Sequence, residues 1–178
     1  PQFSFLVYEQ VYDESGNPLE GVYVDQNGDG IINDSDKRIF NNPNPDYLFG
    51  LSSYMTFYEN WDFSFTMRAS LGNYVYNNVA SANGVYAGVW ELNSLRNAHS
   101  SLLDTDFREQ QFWSDYYVQD ASFLRMDNVA LGYSFSNLNE GNTRLRLYTT
   151  VQNVFVVTPY EGLDPEIKQH TITAIDTL

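Results

Sequence analysis

The chain contains no cysteine and few basic residues: 9 Lys and Arg stand against 23 Asp and Glu among 178 residues, a formal net charge of −14. Without cysteine there is no disulfide framework and no thiolate zinc site. Without a basic stripe to neutralise phosphates, nucleic acid is not expected as a partner, although an acidic surface does attract cations. Histidine is limited to His99 and His170, each isolated and read as a polar surface residue rather than a base or a metal ligand. No apolar run of about eighteen residues occurs, which excludes a membrane-spanning helix but not a barrel, whose strands carry a weaker signal. Nucleophile-elbow, HExxH and glycine-rich phosphate-loop patterns are missing too. Carboxylates are plentiful, but glycoside hydrolysis needs a fixed separation between two of them, so no enzyme is expected. The sequence opens at Pro1 without an initiator methionine or a signal peptide, which suggests a segment of a longer protein.

What is present is aromatic and alternating. Fourteen Tyr and twelve Phe suit strands and aromatic girdles better than a helical bundle. The sharpest pattern is 61–72, WDFSFTMRASLG. Trp61, Phe63, Phe65, Met67, Ala69 and Leu71 occupy odd positions, while Asp62, Ser64, Thr66, Arg68, Ser70 and Gly72 occupy even ones. Successive strand side chains point to opposite sides, so this is a strand with an oily wall and a wet wall. A half-buried strand of a soluble sandwich would read the same way. Further strands are expected over about 47–58, 123–136 and 143–158, the last alternating Leu145, Leu147, Thr149 and Val151 with Arg144, Arg146, Tyr148, Thr150 and Gln152. Residues 1–24 read as a hairpin turning at DESGNPLE.

Residues 25–36, DQNGDGIINDSD, carry the most specific chemical signal. Calcium loops place oxygen ligands at positions 1, 3, 5, 7, 9 and 12, with glycine at 6 for the sharp turn. Those places fall on Asp25, Asn27, Asp29, the carbonyl of Ile31, Asn33 and Asp36, with Gly30 at the turn. Calcium is therefore the expected, structural cofactor. The competing reading is an Asx-rich turn that needs no metal. No helical pattern flanks the loop, so no calcium-driven helix switch is expected.

The interval 73–122 is far longer than an ordinary loop, which points to a functional excursion. It holds an approximately helical patch over 104–113 and the exposed-looking aromatics Trp90, Tyr116 and Tyr117. Two short turns, at 59–60 and 137–142, lie opposite long loops, the asymmetry of an outer-membrane barrel. The calcium-type loop and 73–122 would then face outside, and Arg68, Arg144, Arg146, Thr66 and Gln152 would face the lumen.

Several stretches together resemble the C-terminal barrel region of SusC/RagA-type TonB-linked outer-membrane proteins: GVYVDQNGDGIINDSD, NPNPDYLFGLSSYMTFYENWDFSFTMRASLGNYVYN, VQDASFLRMDNVALGYSFS and LRLYTTVQNVFVVTPYEGLDPEI, in that order. The resemblance implies an all-β fold, in which antiparallel strands form the C-terminal part of a large transmembrane barrel of about 22 strands with long extracellular loops. It implies residence in the outer membrane, contact with its lipid, and import of glycans or peptides. A SusD-like surface lipoprotein would be the partner, and a TonB complex would act through an N-terminal region that this chain lacks. The expected division is an extracellular-side hairpin 1–24, a calcium-type loop 25–36 and a partial barrel 37–178. The alternative function is a soluble, calcium-stabilised β-domain for carbohydrate binding. The family ends in a strand with a terminal aromatic residue, whereas this chain ends in HTITAIDTL.

Overall fold

A computed structural model describes residues 4–91, 94–95, 97–138 and 143–166. In chain order the elements are β1 (Phe5–Val7), β2 (Gln10–Tyr12), β3 (Pro18–Tyr23), β4 (Arg38–Phe40), β5 (Tyr47–Phe57), β6 (Trp61–Leu71), β7 (Tyr74–Tyr76), α1 (Asn78–Asn83), β8 (Trp90–Glu91), β9 (Ser94–Leu95), α2 (Leu102–Thr105), β10 (Val118–Asp120), β11 (Phe123–Leu138) and β12 (Thr143–Val157). Single 3-10 turns occupy Asp34–Asp36, Tyr86–Gly88 and Asp115–Tyr117. The chain divides into two compact units, one made of 1–44, 73–121 and 160–178, the other of 45–72 and 122–159.

The second unit is one antiparallel sheet in the order β12-β11-β6-β5. Its strands coincide with the four long alternating stretches of the sequence. β5 and β6 are joined through 58–60, where Tyr58 and Glu59 both take positive φ; that is the local twist a tight hairpin requires. The turn expected at 137–142 falls largely outside the described residues, as do His170 and the terminal HTITAIDTL.

A graded bulge crosses this sheet. Between the Phe65–Val129–Val151 row and the Met67–Met126–Phe155 row, β6 takes two residue steps, β11 three and β12 four. The extra residue on β11 is Asp127, and on β12 the bulge contains Asn153 at φ +50°. An inserted residue shifts the side-chain alternation. Leu124 and Met126, at even positions, therefore share a face with Val129, Leu131, Tyr133 and Phe135. This is why the period of two is legible only in the latter part of β11.

The first unit has a true core in which Phe5, Val7, Tyr76, Ala80, Tyr117 and Val118 cluster. Part of the stretch 1–24 forms the expected hairpin. Asp13 accepts the Ser15 and Asn17 amides and closes a β2–β3 hairpin, whereas β1 leaves to pair with β4. That pairing sets Phe5 opposite Phe40 and buries Phe5 and Val7 while Leu6 faces out. The interval 73–122 is not an open loop. β7 pairs with β10, and Asn77 caps α1 through the Ala80 amide.

The helical patch expected over 104–113 shrinks to α2, which ends where Asp106 takes a left-handed φ of 53°. Tyr117 is buried, 1% exposed, rather than solvent-facing, because its 3-10 turn lays it edge-on against Tyr76. Tyr116 is half-buried against Tyr117. The side chain of Trp90 lies outside the described residues.

Candidate functional site

Two features bear chemistry: the faces of the sheet and the loop 25–36. On one face, register aligns Tyr47, Phe49, Leu51, Met55 and Phe57 of β5 with five of the six apolar residues of β6, Phe65 standing opposite Ser53, then with β11 and with Leu145, Leu147, Val151, Phe155 and Val157 of β12. Most of these side chains are exposed, Tyr47 at 63% and Leu147 at 57%. An apolar surface spanning four strands far exceeds the patches that water-facing surfaces tolerate. Near the short hairpin it ends in aromatics: Phe57 stacks on Trp61 at 6.2 Å, Trp61 meets Tyr133 at 4.8 Å, and Tyr133 meets Phe135 at 4.6 Å. Such a girdle suits a water–lipid boundary, where amphipathic rings are favoured.

The opposite face is wet. Thr66, Asn128 and Gln152 form one row across it. Arg68 reaches both oxygens of Asp127 at 3.0 Å. Arg146 grips Asp62 in a fork, Nε to Oδ1 at 3.0 Å and Nη2 to Oδ2 at 2.6 Å. This second pair crosses β11 at Gly132. A Cβ there would stand 2.6 Å from both Asp62 oxygens, so only glycine leaves the crossing open. The expected lumen-side arginines Arg68 and Arg146 are thus placed together with the carboxylates Asp127 and Asp62. A glycine inside a strand pattern marks such close approaches and could have pointed to Asp62.

The loop 25–36 is built by backbone amides folding onto acidic side chains. Asp25 accepts Gly28 N through Oδ1 and Gly30 N through Oδ2, both at 2.7 Å. Gly28 and Gly30 hold φ of +75° and +80°, conformations that favour glycine. The Gly30 amide first, then that of Gly28, keeps the Asp25 carboxyl below its ordinary range. Asn27 Oδ1 accepts Asp29 N, and Asp29 Oδ1 accepts Ile31 N, each at 2.8 Å. Asn33 caps the 3-10 turn through the Ser35 amide, while Asp36 Oδ2 accepts Asn33 N at 2.8 Å, a reciprocal capping box. Asp36 is fully buried, and its Oδ1 accepts Gln26 N, which fastens the end of the loop to its beginning.

All six expected donors therefore lie on one closed loop. Among the described residues no three Asp, Glu or His side chains converge as a metal-holding group. The donor set depends on Asn27, Asn33 and the Ile31 carbonyl as well. These fit a hard cation that takes oxygen ligands. The amide group of Asn27 points Nδ2 at Asp29 Oδ2, and that of Asn33 points Nδ2 at the Ile31 carbonyl. Each donates to an oxygen that a cation would otherwise satisfy, while its own Oδ1 holds a backbone amide of the loop.

Beyond the loop, Lys37 bonds Asp34 at 2.8 Å, and Arg38 bonds Asp115 at 2.7 Å. Asp115 also accepts the Gln10 amide, and Gln10 in turn accepts from Ser114 and donates to the Leu19 carbonyl. Pairing of these largely buried polar groups positions the loop on the core.

No protein-family model matches the chain. It is 47% identical over 172 residues to the TonB-dependent receptor SusC of Bacteroides thetaiotaomicron, an alignment covering 93% of this chain and 17% of SusC. To the TonB-dependent receptor P3 of Formosa agariphila it is 30% identical over 161 residues, 84% of this chain and 16% of that receptor. The chain thus spans about one sixth of the length of the curated relatives it matches. Among solved structures it is similar to the RagAB peptide transporter, with a TM-score of 0.64 and 22% identity over 92% of this chain and 20% of that one. The RagAB peptide importer in its open-open state matches with a TM-score of 0.65 and 17% identity, covering 91% and 19%. These relatives are receptors and transporters, not enzymes. The structural likeness gives the fold, an antiparallel sheet matching a section of a TonB-dependent β-barrel transporter. Sequence identity across nearly the whole chain to a TonB-dependent receptor gives its kinship: the chain belongs to the SusC/RagA family of TonB-dependent receptors.

Proposed function

We propose that the chain is wall and outer-surface structure of an energy-coupled importer in the outer membrane, acting on a glycan or a peptide. A SusD- or RagB-like surface lipoprotein would be its partner, and a TonB complex would act through segments outside this chain. The observation that carries the reading is the two-faced sheet. Lipid is the environment that makes an exposed apolar face over four strands favourable, while the opposite face pairs Arg68 with Asp127 and Arg146 with Asp62, as suits an aqueous lumen. The alternative of a soluble carbohydrate-binding module leaves that face without a solvent. The test is cysteine labelling of the full-length receptor in cells, with Phe65→Cys and Thr66→Cys. A lipid-facing Phe65→Cys stays closed to a charged maleimide while Thr66→Cys reacts once the outer membrane is permeabilised. Equal reaction of both, with the protein in the soluble fraction, would remove the importer reading.

Within that importer the loop 25–36 is proposed to hold calcium through Asp25, Asn27, Asp29, the Ile31 carbonyl, Asn33 and Asp36. The preformed Asp25 cradle and the Asn33–Asp36 capping box support this reading, since both leave oxygen lone pairs for an ion while the amides fix the loop. Calcium would serve as structural glue there. Calorimetric titration of the chelator-stripped, full-length receptor should give one binding heat at this loop that Asp25→Ala abolishes. Unchanged heat in the variant would leave an Asx-rich turn.

A further inference from the structure

We propose that Lys37 transmits occupancy of the loop 25–36 to the backbone at Trp113, so that a bound cation orders a surface segment distant in sequence. The inference rests on the calcium reading above. Asp34 sits between Asn33 and Asp36, two of the donors, in the 3-10 turn fixed by their capping box. It holds the Lys37 ammonium at 2.8 Å and accepts the Tyr8 hydroxyl at 3.2 Å. Whatever fixes that turn also fixes the cation that follows it.

The Lys37 ammonium lies 5.1 Å from the centre of the Tyr8 ring and 5.7 Å from that of Trp113. Its side chain is only 17% exposed although its carboxylate partner is 88% exposed. A partly desolvated ammonium between two aromatic faces is attracted to both. It therefore joins the loop to two residues far from it in sequence.

Trp113 is the strained end of this chain of contacts. Its φ is +62°, a left-handed conformation that a bulky residue holds only when its surroundings over-determine it. Its carbonyl accepts the Tyr8 amide at 2.8 Å, its own amide donates to the Tyr76 hydroxyl at 3.1 Å, and its ring packs on Tyr76 at 6.3 Å. Three of the restraints come from β7 and from Tyr8, just past β1. The fourth, Lys37, comes from the loop. Immediately after Trp113, Ser114 and Asp115 hold Gln10 and Arg38, so a relaxed Trp113 would also loosen the seam between Tyr8 and Asp115. Phe112, 55% exposed, is the side chain that this backbone conformation presents outward.

Hydrogen exchange read by mass spectrometry on the full-length receptor in detergent, with chelator or with calcium, tests the link. Calcium should slow exchange in 25–36 and also at the amides of Tyr8 and Asp115 by about tenfold, because those two bonds form the seam. In Lys37→Met, calcium should still bind by calorimetry, but the slowing at Tyr8 and Asp115 should fall below about twofold. Lys37→Arg, which keeps a cation over the rings, should retain it. Slowing confined to 25–36 in the native receptor would overturn the coupling and leave the calcium reading standing. Full slowing in Lys37→Met would overturn Lys37 as the link. Absence of any binding heat would overturn both.

Discussion

The two units of this chain are built for different surroundings. The first carries 18 acidic and 5 basic side chains, a net −13, whereas the second carries 5 and 4, a net −1. Of the buried apolar residues, all but Phe123 lie in the first unit. The first unit thus has its own core and turns its charge to water, as a water-facing domain must. The second has no covering layer of its own among the described residues and joins Arg68 to Asp127 and Arg146 to Asp62 on one face. A single sheet of this kind is stable only when something outside it supplies an apolar phase. The composition of the whole chain, averaged over both, conceals this division.

The comparison is sharpened most by removing core volume from the first unit. Phe107 is 1% exposed and packs edge-on to Tyr116 at 6.5 Å. Phe107→Ala should cost about 3–5 kcal/mol of local stability, the usual loss for a buried aromatic replaced by a cavity. Exchange-derived opening energies of the first unit should fall while those of β5 and β6 stay put. Equal loss in both units would mean that they unfold as one, and the comparison would fail.

The second test works on the sheet alone. Phe65→Arg on the apolar face should destabilise insertion by about 2–4 kcal/mol if the residue lies near the bilayer midplane, and Thr66→Arg on the wet face should be mild. Refolding titrations of the full-length receptor into lipid vesicles give both values. Matching losses at these adjacent positions would break the assignment of faces.

How much of this was legible depended on how local the physics is. The four long strands were readable because each must separate an oily wall from a wet one over ten or more residues, which imposes alternation residue by residue. The bulge was not, since Asp127 looks like one more polar residue until β6 and β12 fix its register. The first unit was largely unreadable. Its strands are two to six residues long, and its interior contains Gln10, Asn77, Ser81 and Ser114. Their burial depends on partners up to 105 residues away, as with the Gln10 amide on Asp115. At the loop, spacing alone grouped all six donors. What spacing could not show is that the amides of Gly28 and Gly30 preshape Asp25, or that Lys37 and Arg38 anchor the exit to distant elements.

The smallest effect expected is the response of that loop to acid, and its sign follows from the direction of two shifts. The Asp34 carboxyl is held below its ordinary 3.8 by the Lys37 ammonium, first through the hydrogen bond and then through charge. Asp25 is held below 3.8 by the Gly30 amide and then by Gly28. A carboxyl that is harder to protonate when folded contributes its stabilisation in full above the unfolded value and loses it as pH falls through the lowered folded value. Protection of the Gly28 and Gly30 amides, corrected for intrinsic exchange, should therefore be level from about pH 7 to about pH 5 and decline only below about pH 4. Asp34 is exposed and Asp25 only half-buried, so the decline should be shallow and should leave the core around Tyr117 intact. Protection already failing near pH 6 would implicate a group other than these carboxylates, and Asp25 would no longer be what holds the loop closed.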